Sequence, residues 1–270
     1  MRLLYIILSV VIACVLLAGS ASARVYKLAS LEYPPYGYAE NGSPAGCDVE
    51  IIQEAFRRMD EQVEFEFVPW KRALAMALHN ATDGVFQVLK TPERCEYMVY
   101  SDPVRVEAMT LFVRSDSDIE FTGDIKELRG RTFGVINSFS YGPAIDAFIN
   151  EHRNINIDVT DSVLGNLCKL VKRRFDIFIA DDLSTYYTAR EAGLLGDIRR
   201  LLPPVAYNPI HVSFCRKTGA DKLLVRFNKA LKSMKDDGTW NSIIDKYRKR
   251  FMNDFPGEPF VLDEYYNKKY

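Results

Sequence analysis

Two charged residues stand where ligand chemistry could be done. Arg94 closes the segment Thr91-Pro92-Glu93-Arg94. Its planar guanidinium can grip a carboxylate through two parallel charge-assisted bonds, or it can pair with the neighbouring Glu93 or Glu96. Asp181 follows the apolar run Ile177-Phe178-Ile179-Ala180. An acid there is poorly placed unless it faces a cleft, or caps a helix begun by Asp182, Ser184 and Thr185. Catalytic chemistry has less to work with. His79, His152 and His211 stand alone, and the chain carries no G-x-S-x-G, H-E-x-x-H or Walker loop. A formal net charge of −1 offers no global attraction to nucleic acid or to an anionic membrane surface. These residues offer little for catalysis, and neither an enzyme nor a cofactor is expected.

The amino terminus places that protein outside the cytoplasm. Arg2 precedes an apolar run from Leu3 to Leu17, and Ala21-Ser22-Ala23 fits a signal-peptidase site. Residues 1–23 therefore read as a signal peptide, with a mature chain from Arg24. The run is short for a span of roughly 20 apolar residues. Val11-Ile12-Ala13-Cys14 also resembles a lipobox loosely, so a lipid anchor is the alternative to a free periplasmic protein. Removal of the leader leaves Cys47, Cys95, Cys168 and Cys215. Four cysteines in an oxidising compartment permit two disulfides in any of three pairings; buried free thiols are the other reading. Zinc-type Cys/His spacing is missing, and no metal site is expected.

The elements that must position these residues alternate between strand and helix. Strands are predicted over 24–31, 63–68 and 84–89, with helices opening at Asp48 and over 70–78. A second series follows: strands over 132–136, 155–159 and 176–180, with helices over 141–150 and 163–174. Strand-like pieces at 109–113 and 211–215 flank that series. Two amphipathic helices, 221–234 and 240–251, close the chain around Gly238. The economical reading is one α/β lobe interrupted by another: 24–110 and 209–270 form the first, and 111–208 the second. Ligands of open α/β sheets sit outside the carboxyl ends of the strands. Facing lobes would place those ends across a cleft, and two chain crossings would make its hinge.

In this order the segments Tyr33-Pro34-Pro35-Tyr36, Gly46-Cys47-Asp48-Val49-Glu50, Trp70, Asp83-Gly84, Thr91-Pro92-Glu93-Arg94, Ser101-Asp102-Pro103, Leu128-Arg129-Gly130-Arg131-Thr132-Phe133-Gly134-Val135, Asp176 with Asp181, and Asp237-Gly238-Thr239-Trp240 resemble the periplasmic amino-acid-binding proteins of ABC importers (solute-binding protein family 3). The resemblance runs from about Leu28 to Phe251. It implies an α/β, two-lobed type II periplasmic-binding fold with the second lobe inserted in the first. It also implies site roles. Arg94 clamps the ligand's α-carboxylate, and Asp181 receives its ammonium. Tyr33 and Trp70 sandwich its stem, and Ser140 stands at a helix start that could offer N–H groups.

The chain departs from the family where small hydroxyl residues commonly precede the Thr-x-x-Arg segment. Here the stretch is Phe86-Gln87-Val88-Leu89-Lys90. Gln87 and Lys90 are bulkier than the pattern, and Lys90 either adds a cation suited to an anionic ligand or points to solvent. The implied function is capture of an amino acid or related small carboxylate by hinge closure, as a monomer, with delivery to a membrane permease. Signalling to a membrane sensor is the alternative; a dehydratase-like enzyme on the same fold is the remoter one.

Overall fold

A computed structural model describes residues 24–151, 155–217 and 219–252. The expected leader, its lipobox alternative and the carboxyl-terminal residues 253–270 lie outside these. Among the described residues, no helix is long and apolar enough to cross a membrane.

The first half of the chain builds β1 (Val25–Ser30), a small hairpin of β2 (Tyr38–Glu40) and β3 (Ser43–Ala45), α1 (Cys47–Arg58), β4 (Gln62–Phe67), α2 (Trp70–Leu78) and β5 (Gly84–Leu89). β1 runs parallel to both β4 and β5. Every residue of β5 is buried, whereas β4 alternates between exposed and half-buried positions, as an edge strand should. α1 carries Asp48 and Glu50 in its first turn and Arg57 and Arg58 in its last, matching the helix dipole. Its Phe56 packs 5.4 Å from Tyr26 and 5.9 Å from Phe227, ring centre to ring centre. Gly84 has no room for a side chain: an added Cβ would lie 1.9 Å from the carbonyl oxygen of Ser213. Backbone cannot step aside as a flexible side chain can. Gly84→Ala is expected to destabilise the protein by at least about 1–3 kcal/mol, read as a lower urea midpoint at unchanged slope.

After β6 (Met98–Tyr100) comes β7 (Arg105–Arg114), and then the second series: β8 (Thr132–Ile136), α3 (Pro143–Glu151), β9 (Asn156–Thr160), α4 (Val163–Val171), β10 (Ile177–Asp181) and α5 (Asp182–Glu191). β11 (Ile198–Cys215) leads back to the first half, which α6 (Ala220–Asp236) and α7 (Thr239–Met252) complete. The strands join in the order β4-β1-β5-β11-β7-β10-β8-β9, with β6 also on β11. β7 and β11 pair antiparallel from Ile198↔Arg114 to Ile210↔Arg105 and link the two series. Met109, Leu111 and Val113 of β7 belong to one apolar cluster and Phe112 to the other, so both faces of this strand are covered.

The crossing strands are longer than the sequence predicts. β11 begins at Ile198 because Pro203 and Pro204 fall where its register shifts between Leu201 and Ala206. An irregular stretch spares the ladder the hydrogen bonds that proline cannot donate. The helix expected from Tyr141 starts at Pro143, and the one expected to reach residue 174 stops at Val171, before Arg173 at φ 59°. The disulfide expectation is not met either. Cys47, Cys95, Cys168 and Cys215 are free thiols. They sit on separate elements: Cys47 opens α1, Cys168 is exposed on α4, and the Cys215 thiol donates to the Thr82 carbonyl at 3.4 Å.

Candidate functional site

A small cavity, with about 10 Å3 of room for the centre of a water-sized sphere, lies where the two series meet, lined by Trp70, Gln87, Leu89, Arg94, Glu107, Phe139, Ser140 and Ile210. Arg94 occupies a short 3-10 turn after β5 and is 6% exposed. Its guanidinium donates to the carbonyl of Leu89 at 3.0 Å and, across the cleft, to that of Ser138 at 3.0 Å. It also stands 5.5 Å from the Trp70 ring centre, within cation–π range. Among the described residues it forms no ion pair, and burial pulls its pKa down.

Trp70 opens α2 and donates its indole N–H to the same Ser138 carbonyl at 3.1 Å. Next to Ser138 stands Phe139, whose ring is 5.9 Å from Tyr33 and 6.3 Å from Trp70. Phe139 thus contacts both of the rings that the resemblance implies would sandwich a ligand stem. Ser138 takes φ 58°, the left-handed region that a serine rarely adopts, so this segment is held in place by its surroundings.

The remaining sequence-derived positions divide. Gln87, at φ 59°, ties the scaffold together: its amide oxygen accepts from the Gly37 N–H at 2.7 Å and its nitrogen donates to Ser30 Oγ at 2.9 Å. Ser140 lines the cavity, but its hydroxyl donates to Asp146 at 2.5 Å, which also holds the Tyr141 N–H. Tyr33 is 1% exposed and reaches the cavity wall through Phe139; its hydroxyl makes no hydrogen bond of good geometry but lies close enough to Glu107 to draw that acid's pKa down. Lys90 is exposed and is not among the lining residues. Asp181 is buried at 1% exposure and caps α5 by accepting from the Ser184 N–H at 2.9 Å. It does not line the cavity.

Sequence reasoning missed the acid that does. Glu107 lies on β7 opposite Asn208 of β11, is 3% exposed, and its Oε1 accepts no hydrogen bond. Arg105, two residues earlier, spends its charge elsewhere: it pairs with Asp48 at 2.9 Å, stacks 3.4 Å from the Tyr36 ring centre, and comes only to 3.8 Å of Glu107. The one signal available was the alternation Val104-Arg105-Val106-Glu107-Ala108, which also describes a strand with its charges in water.

Burial raises the pKa of both acids, Glu107 to about 8 and Asp181 to about 6, against the pull of Arg105 on each. Asp48 and Asp181 push Glu107 up and Asp182 pushes Asp181 up, while the Ser184 N–H and the Tyr36 hydroxyl draw Asp181 back. Their two protons belong to the pair. The folded state thus binds protons more tightly than the unfolded one. The stability this pair contributes is complete below the ordinary carboxylate range near about 4 and is lost as the pH climbs through about 6 and about 8. Denaturant unfolding of the unliganded protein is expected to show this loss between pH 5 and pH 8.5, and Glu107→Gln to flatten its upper part. An unchanged profile in the variant would contradict the assignment.

The family model of bacterial extracellular solute-binding proteins, family 3, matches residues 28–250. The chain belongs to that family. As a family 3 protein it binds a solute and is not an enzyme. It is 23% identical over 215 residues to the probable amino-acid-binding protein YxeM of Bacillus subtilis, covering 79% of each chain. It is 24% identical over 238 residues to the arginine-binding extracellular protein ArtP of the same organism, covering 85% of each. A histidine kinase sensor domain similar to periplasmic binding proteins superposes at TM-score 0.74 with 21% identity, over 83% of this chain and 95% of that one. The family 3 protein therefore has the two-lobed type II periplasmic-binding fold, with one lobe inserted in the other.

Proposed function

We propose that this protein captures an amino acid or a related small carboxylate between its lobes, in the periplasm and as a monomer, and delivers it to an ABC-type permease. The lobes in this reading are 24–110 with 209–252, and 111–208; the hinge is the paired β7 and β11, which both boundaries cut. One observation carries the ligand class. Arg94 is buried at the cleft, stacked near Trp70, and holds only backbone carbonyls, one from each lobe. Those carbonyls fix a guanidinium that still lacks an anion. The relatives named for amino-acid and arginine binding support the same class.

The cavity leaves only about 10 Å3 for the centre of a water-sized sphere, far less than the roughly 300–1,000 Å3 of ordinary small-molecule pockets, so the lobes must part to admit a solute. Ligand binding would then replace the Ser138 carbonyl at Arg94 and move Phe139 from between Tyr33 and Trp70. An aromatic contact of this kind is worth about 0.5–1.5 kcal/mol. Phe139→Ala is accordingly expected to enlarge the unliganded radius of gyration in solution scattering and to speed ligand association by about 2- to 10-fold. An unchanged radius and rate would count against self-closure. The direct test of function is a thermal-shift screen over amino acids, organic acids and polyamines, with hits measured by calorimetry. Stabilisation by an α-amino acid is the expected result; response to none of the carboxylates would end this reading.

A second reading is signalling, supported by the histidine kinase sensor domain that shares the fold. The cleft would work identically, and capture of a membrane kinase in place of a permease by the liganded protein would decide for it.

A further inference from the structure

Arg94 and Glu107 are the charged residues among those lining the cavity. They are 6% and 3% exposed and of opposite sign, yet no ion pair joins them. Neither has a close ion-pair partner of its own. Arg94 rests on two carbonyls. Glu107 has Arg105 at 3.8 Å, but that guanidinium is already bound to Asp48 at 2.9 Å, and Glu107 Oε1 accepts no hydrogen bond. A buried polar atom left unpaired costs free energy, and a buried carboxylate costs more. A cation without an anion, and a buried acid whose only cation stands at 3.8 Å and is already bound to Asp48, fit on one small cavity a solute that carries both signs.

We infer that Glu107 is the acid that receives the cationic nitrogen group of the solute, opposite a carboxylate held by Arg94. This rests on the proposed function above and assigns the counter-charge to a hinge-strand residue. Asp181 is less suited to direct contact, because one of its oxygens caps α5 and it does not line the cavity. Its role is to shape the field around Glu107. Because Glu107 sits on β7, contact with the solute would act directly on a strand that links the two series. The buried Tyr33 hydroxyl lies close enough to Glu107 to draw its carboxyl pKa back down, and the Tyr33 ring packs 5.9 Å from Phe139.

The test compares wild type with Glu107→Gln and Glu107→Asp. The probes are the best-binding amino acid from the screen, its des-amino analogue and, if its side chain is basic, the analogue with that side chain made neutral. Glu107→Gln is expected to weaken the amino acid by about 10- to 100-fold and to weaken by less than about 3-fold the analogue lacking the nitrogen that Glu107 holds. Glu107→Asp should retain part of the discrimination. Calorimetry in two buffers of different ionisation enthalpy gives a second readout. Near pH 7 the wild type is expected to release a proton on binding, as the arriving cation expels it from the raised Glu107 carboxyl, and Glu107→Gln to release none. Equal losses for all probes, or unchanged proton release in Glu107→Gln, overturn the inference. If amino acids bind and Arg94→Ala abolishes binding, such a result removes Glu107 alone. If wild type binds no amino acid, the inference falls together with the reading it rests on.

Discussion

Arg94→Ala is expected to lower affinity for the amino-acid ligand by about 100-fold or more, with the loss expressed mainly as faster release. The residue is 6% exposed and aimed into the cleft. In the proposed reading, removing it would leave the ligand carboxylate buried beside Trp70 with no cation. Its contribution to folding is smaller, because its hydrogen bonds go to two backbone carbonyls, of Leu89 and Ser138. Typical net values for such bonds put the stability loss at about 1–3 kcal/mol. Calorimetry and denaturant unfolding on the same preparation separate the two effects. Affinity within a few-fold of wild type would mean that the carboxylate is held elsewhere.

The largest expected loss of stability lies beside the cavity. Asp48→Ala strands the Arg105 guanidinium, which is 2% exposed, stacked on Tyr36 and bonded through Nε to both oxygens of Asp48 at 2.9 and 3.1 Å. Burial works against the Asp48 carboxylate, and Arg105 is what offsets it. Breaking one side of such a pair costs about 3–5 kcal/mol, whereas replacing both sides by apolar residues of similar volume is often neutral. The double variant Asp48→Leu/Arg105→Met is therefore expected to recover most of the loss in urea unfolding. It should still bind ligand differently, since Arg105 also sets the field at Glu107 and Asp181. If the double variant were as unstable as Asp48→Ala, apolar packing around Tyr36 would be the cause instead.

Taken together, these variants separate two jobs done by neighbouring charges. Asp48 and Arg105 hold α1 to the crossing strand β7. Arg94 and Glu107 face the cavity. In the proposed reading, the Ser138 carbonyl occupies one donor of Arg94 until a better acceptor arrives.

The sequence by itself determined the elements whose signals are local. Trp70–Leu78, Gly84–Leu89 and Thr132–Ile136 appear with the bounds expected from periodicity, and Arg94, Trp70, Gln87 and Ser140, four positions singled out in the sequence, are among the residues lining the cavity. Hydrophobic spacing and turn chemistry act over a few residues, so a single chain segment carries them. What tertiary structure decided was which charges face the cleft. Asp181, read as the counter-charge, turns to cap its own helix, and Lys90 stays in water. Glu107 is surrounded by groups from distant parts of the chain: Asn208 opposite it on β11, Tyr33, and Arg105, which is held by Asp48 and stacked on Tyr36. Burial of a charge depends on the field of all its neighbours, and that field does not exist until the chain has folded.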